Sequence, residues 1–113
     1  MQTLTVERPW GKFEQFTQNE AVTVKIITIN AGEAFSLQYH KKRTEFWQIL
    51  SGNPEVLVGD KVILAKPGDK FEVPPETNHR IQARDSRTEI LEIATGDFDE
   101  DDIVRLEDKY GRS

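Results

Sequence analysis

Four residues of this chain carry groups that bind cations and are spaced so that they can meet: Gln38, His40, Glu45 and His79. In an extended segment residues two apart share a face, so Gln38 and His40 in "QYHKKRTEFW" point the same way. The run "KKRT" then gives the chain room to turn into a second strand, on which Glu45 shares a face with Trp47 and Ile49. A carboxylate on that face points at a core, where an ionised group must be paired or bind a cation. His79, the second of only two histidines, follows "VPPETN" and opens a strand on which Ile81 and Ala83 are its same-face companions. An amide oxygen, two imidazoles and a carboxylate make a mixed N/O set for one divalent transition metal. Zinc is the first expectation, and Mn, Co, Ni and Fe also suit the set.

The elements that must position these groups are short. Runs rich in Val, Ile, Phe and Thr alternate with Gly, Pro, Asn and Asp, the pattern of an antiparallel sandwich or barrel. "VTVKIITI" alternates and then shifts face at Ile26 and Ile27, which predicts a bulge or a strand bending between two sheets. "EFWQIL" follows, and "EVLVGDKVIL" predicts a tight hairpin at Gly59 and Asp60. "KFEVP", "HRIQA" and "TEILEIA" supply further strands, for eight or nine in all. The tail "DEDDIVRLEDKYGR" starts acidic, places Ile103 and Leu106 three apart and ends basic, which predicts one short C-terminal helix. Trp10 and Phe13 read as core or interface anchors.

Length and charge bound the function. With 113 residues, one domain spanning 1–113 is expected. Lys and Arg number 15 against 20 for Asp and Glu, a net charge of −5, which argues against nucleic acid or an anionic membrane as partner. There is no cysteine, which excludes disulfides, thiolate metal sites and cysteine nucleophiles. No run approaches the roughly 18 apolar residues of a membrane span, and the N-terminus does not read as a signal peptide; a cytoplasmic protein is expected.

The spacings resemble the two signatures of the cupin family, a jelly-roll β-barrel. "GEAFSLQYHKKRTEFWQILSG" matches the first, from Gly32 through His40 and Glu45 to Gly52, with Gln38 where the first histidine stands. "GDKFEVPPETNHRIQA" matches the second at Gly68, Pro74 and His79, with Glu76 in place of a glycine and Ala83 in place of an asparagine. Gln-x-His followed by Arg and Glu-x-Trp is similar to one branch, the cupin domain of type II mannose-6-phosphate isomerases, often the C-terminal part of bifunctional isomerase/guanylyltransferases. "RPWG" (8–11) and "EDDIVRLEDKYGR" (100–112) extend the similarity over nearly the whole chain. The branch's run is commonly His-His-His-Arg-Ala-Glu-His-Trp, and here Lys41, Lys42 and Phe46 replace histidines. The guanylyltransferase activity is not carried over.

The resemblance implies an all-β cupin barrel, a metal at Gln38, His40, Glu45 and His79, a homodimer, and isomerisation between mannose 6-phosphate and fructose 6-phosphate with the metal as Lewis acid. A base must carry a proton between C2 and C1. Glu92, out of step with its apolar neighbours Leu91 and Ile93, and Glu76, in the turn before His79, are candidates, with a water at the metal as a third. The phosphate needs cations: Lys41, Lys42 and Arg43 lie in the loop beside the ligands, and Arg80 follows His79. Arg43 also matches the branch's arginine. Strand alternation turns Arg80 away from His79 unless the chain bulges there, and "KKR" reads equally as a solvated loop. The rival readings are a sugar- or sugar-phosphate-binding cupin without turnover and another metal-dependent cupin enzyme, such as a different sugar isomerase, an epimerase or an iron dioxygenase.

Overall fold

The computed structural model describes residues 3–107, and within them the chain forms eleven strands and no helix. They are β1 (Leu4–Arg8), β2 (Gly11–Gln15), β3 (Thr23–Ile29), β4 (Leu37–Tyr39), β5 (Arg43–Ser51), β6 (Glu55–Val58), β7 (Lys61–Leu64), β8 (Lys70–Val73), β9 (His79–Gln82), β10 (Thr88–Gly96) and β11 (Val104–Glu107). A four-stranded sheet in the order β3-β10-β5-β8 faces a five-stranded sheet in the order β11-β4-β9-β6-β7, and β1 and β2 form a separate hairpin. Every strand pair is antiparallel. This is the all-β jelly roll expected.

The core lies between the two sheets. Trp47, Ile49, Val56, Ile81 and Ile90 are fully enclosed there, and each comes from the inward parity of its strand. Trp47 alone sets a high value on that layer, because removing a buried Trp side chain costs about 3–5 kcal/mol. The predicted hairpin is present, with Val58 opposite Lys61 and Gly59 at φ 63°. Gly52, the last glycine of the first signature, has a specific reason: with φ at 92°, a Cβ there would sit 2.6 Å from the Thr88 hydroxyl and 2.7 Å from the Arg87 carbonyl oxygen.

Two local expectations are corrected. The face shift at Ile26 and Ile27 does not occur: β3 alternates regularly, with Lys25, Ile27 and Ile29 inward and Val24, Ile26 and Thr28 outward. Ile26 is 62% exposed, so the apolar pair reflects an apolar outer face and not a bulge. The C-terminal helix does not form over the described part of its segment. Val104 and Arg105 instead pair with Tyr39 and Gln38, completing the hydrogen bonds of β4, while Leu106 is half exposed and gives a helix no buried face. The remainder of the predicted helix, residues 108–112, lies outside the described residues.

Trp10 and Phe13 both sit on the β1–β2 hairpin and are 73% and 38% exposed, which removes the core reading and leaves the interface reading open.

Candidate metal centre

Three strands bring the expected ligands together. His40 directly follows β4, Glu45 lies on the inward face of β5, and His79 opens β9, where it pairs directly with Gln38. The candidate ligand atoms of His40, Glu45 and His79 all lie within 4.8 Å of one another, and all three side chains are buried. Glu45 Oε2 is 3.2 Å from His40 Nε2, and Oε1 is 3.8 Å from His79 Nε2.

Hydrogen bonds fix the ring orientations. His40 Nδ1 lies 2.6 Å from the Asp102 carbonyl and His79 Nδ1 lies 2.9 Å from the Thr77 carbonyl. A carbonyl can only accept, so both rings carry their proton on Nδ1 and turn the Nε2 lone pair toward Glu45. This is the arrangement metal-binding histidines use. His79 Nε2 is buried and has no hydrogen-bond partner, while Nε2 of His40 accepts from Arg43 Nη2 at 3.2 Å. An orphaned imidazole lone pair aimed at a buried carboxylate fits a cation, and the three donors suit a divalent transition metal. Gln38 stands beside them, its Oε1 accepting from Ser36 Oγ at 2.6 Å with a second lone pair to offer.

The electrostatics separate two carboxyls. Burial works to raise the Glu45 pKa, but the hydrogen bond from Glu92, the two histidines and Arg43 outweigh it, and the group is held below its usual range. Glu92, opposite Trp47 on β10, is pushed up to about 8 by burial and by the adjacent Glu45 charge. Trp47 Nε1 donates toward both, at 3.2 Å to Glu45 Oε1 and 3.4 Å to Glu92 Oε1. Glu45 is therefore the ionised member of the pair and Glu92 the protonated one. Burial lowers the His79 pKa, which keeps that ring neutral and able to ligate.

Arg43 is buried and committed. Its Nε donates to Glu45 Oε2 at 2.9 Å, its Nη1 to the Asp99 carbonyl at 3.1 Å, and its guanidinium lies 4.4 Å from the centre of the Phe98 ring. Lys41 and Lys42 are exposed; they line a different groove with Asp99 and Asp101, and their backbone amides donate to the Asp102 carboxylate. Arg80 points away from His79, as strand alternation requires, and lies 3.7 Å from Glu107. Glu76 is exposed on its turn, and its backbone amide donates to the His40 carbonyl at 2.6 Å. So Gln38, His40, Glu45, His79, Arg43 and Glu92 come together, whereas Lys41, Lys42, Arg80 and Glu76 lie outside the cavity.

That cavity, about 220 Å³, also takes in Lys25, Glu100 and Arg105, which sequence reasoning missed. Lys25 had a readable signal: it shares strand parity with the inward Ile27 and Ile29, which the supposed bulge concealed. Arg105 was hidden by the assignment of its segment to a helix.

The residues 1–108 match the family model described as "Mannose-6-phosphate isomerase C-terminal". The chain belongs to this family. Among its relatives, the xanthan biosynthesis protein XanB of Xanthomonas campestris is 38% identical over 110 residues, 96% of this chain and 24% of that protein. The alginate biosynthesis protein AlgA of Pseudomonas aeruginosa is also 38% identical, over 96% of this chain and 23% of its own length. Mannose-1-phosphate guanylyltransferase ManC of Salmonella typhimurium is 34% identical over 95% of this chain and 23% of its own. The domain thus spans about a quarter of the length of these relatives. Among solved structures, KdgF from a Halomonas species superposes with a TM-score of 0.67 at 17% identity, covering 74% of this chain and 76% of that one. A cupin protein from Bacteroides fragilis gives 0.60 at 23% identity, covering 73% and 81%. At these identities the likeness establishes the cupin fold of the domain. Among the described residues no helix is long and apolar enough to cross a membrane.

Proposed function

We propose that this domain is a metal-dependent aldose–ketose isomerase interconverting mannose 6-phosphate and fructose 6-phosphate. One observation carries the reading: a buried His40–Glu45–His79 cluster with the Glu92 carboxyl hydrogen-bonded to Glu45, and His40, Glu45 and Glu92 lining one cavity. A divalent metal held by these three residues, with Gln38 as a further ligand, would supply Lewis acidity toward the substrate oxygens.

The chain's own residues do the rest. Arg43 holds the Glu45 carboxylate in place through Nε, and Trp47 Nε1 bridges Glu45 and Glu92. With its pKa pushed up to about 8, Glu92 keeps an ionised fraction near neutral pH; that carboxylate form would take the proton from C2 and, as the carboxylic acid so formed, return it to C1. Isomerisation needs one such transfer, from C2 to C1, and we assign it to Glu92, which lines the cavity beside Glu45. The loop at 97–103 lines one side of the cavity through Glu100 and Ile103 and is fastened through Asp102 to His40 and to the amides of Lys41 and Lys42.

The histidines that the branch commonly carries at positions 41, 42 and 46 do not argue for lost activity. Lys41 and Lys42 are on the outside, and Phe46 lies on the outer face of its sheet with its ring 5.8 Å from Phe16. Their replacement leaves the cavity's donors in place, which favours a working enzyme over a binding module.

The test is purified full chain, assayed for conversion of mannose 6-phosphate with Zn, Mn or Co. Turnover is expected, and Glu92→Gln is expected to lower kcat by about 10²–10⁴-fold while retaining the metal. A folded, metal-loaded protein that turns over with none of these ions would overturn the isomerase reading.

A further inference from the structure

The cations expected to receive a phosphate are used elsewhere, and two others face the cavity. Lys41, Lys42 and Arg80 lie outside it, and Arg43 spends its donors on Glu45, His40 and Asp99. Lys25 and Arg105 line the cavity from opposite sheets, Lys25 on β3 and Arg105 on β11 opposite Gln38. Lys25 sits directly across from Glu92, which sits across from Trp47, so one row crosses three strands from the cation past the buried carboxyl to the metal-ligand strand. Neighbouring strands are about 4.8 Å apart, which sets Lys25 about 10 Å from β5. A six-carbon sugar carrying a phosphoryl group on the carbon farthest from its reacting end spans a comparable distance.

The Lys25 ammonium already holds an oxyanion. Glu100, from the loop at 97–103, places Oε1 2.6 Å from Lys25 Nζ, and the Phe98 ring centre lies 4.6 Å from the same nitrogen. The Glu100 side chain is 71% exposed, so it can leave this position without losing burial. The loop is secured elsewhere, at Asp102 and at the Asp99 carbonyl.

We propose that Lys25 and Arg105 form the phosphoryl-binding end of the cavity and that the Glu100 carboxylate occupies that place until a phosphoryl group displaces it. Phosphate brings up to two negative charges and three acceptor oxygens against the single charge of Glu100, enough acceptors to serve a cation from each sheet. The proposal takes its substrate from the isomerase reading. Its test needs no turnover, however, so the two can fail separately.

Inorganic phosphate titrated into the metal-loaded full chain by calorimetry is the measurement, with circular dichroism checking the fold of each variant. Lys25→Met is expected to weaken binding at least tenfold. Glu100→Gln is expected to tighten it several-fold, and the double variant to lose that gain. In turnover assays Lys25→Met raises KM for the sugar phosphate far more than it lowers kcat. Phosphate affinity unchanged in Lys25→Met and in Arg105→Met would place the anion on the metal or elsewhere and overturn the proposal. So would weaker binding in Glu100→Gln, or a loss in Lys42→Met that Lys25→Met does not share.

Discussion

The candidate centre is built so that its charges depend on one another. Arg43 and Glu45 are both buried and share a 2.9 Å hydrogen bond, and breaking a buried pair leaves the other charge uncompensated at a cost of about 3–5 kcal/mol. Glu45→Ala is therefore expected to lower unfolding stability by that amount in urea titration and to abolish metal binding. His79→Ala separates the two effects: its Nε2 has no partner and its Nδ1 donates only to the neutral Thr77 carbonyl, so no buried charge is left uncompensated, yet metal affinity should fall by more than the roughly 10–100-fold that loss of an outer-shell partner costs, in a competition titration with a chromogenic chelator. Full metal occupancy in both variants would remove these residues from the ligand set. The ligand types were legible because His, Glu and Gln are few on inward-facing positions. The tautomers were not, since they depend on the carbonyls of Thr77 and Asp102, and Asp102 is 62 positions from His40.

At the scale of elements, turns and edges decide what each strand presents. The turn that delivers His79 carries Glu76 at φ 61°, in the left-handed region where the family pattern has glycine. A side chain there costs about 1–2 kcal/mol, while glycine adds back roughly 0.5–1 kcal/mol of unfolded-state entropy. Glu76→Gly is expected to raise stability by up to about 1 kcal/mol, read as a higher melting temperature, and to leave turnover unchanged because the carboxylate is outside the cavity. Lower stability would mean that the Glu76 side chain makes a contact worth more than the strain. Strand parity was a dependable guide at Arg80, which points outward as alternation demands, and at the Gly59 hairpin. It misled at Ile26 and Ile27, because an apolar outer face looks the same in sequence as a change of face. The tail misled for a related reason: three-residue spacing and dipole-matched charges describe a possible helix, but the open edge of β4 offers backbone partners to Val104, Arg105 and Glu107 of β11.

For the whole molecule, the metal and the fold should be linked. The candidate ligands His40, just after β4, and His79 on β9 belong to one sheet and Glu45 on β5 to the other, so an ion bound by all three would tie the sheets together. A ligand that binds only the folded state at 100 times its Kd adds about 2.7 kcal/mol, so adding Zn to the chelator-treated protein is expected to raise the melting temperature by several degrees and His79→Ala to remove most of that shift. An equal shift in the variant would place the ion elsewhere. The homodimer implied by the resemblance is a proposal of the same scale, and the exposed Trp10 on its separate hairpin is consistent with it. The sequence by itself determined the all-β class and the family and pointed to the His40, Glu45 and His79 cluster, because strand parity, turn residues and motif spacing are local properties. Only the tertiary structure decided which cations line the cavity, which carboxyl keeps its proton and which loop lines the site. Those depend on distances between strands far apart in the chain, and no local pattern encodes that Lys25, Glu92 and Trp47 stand in one row or that Lys41 and Lys42 face away from it.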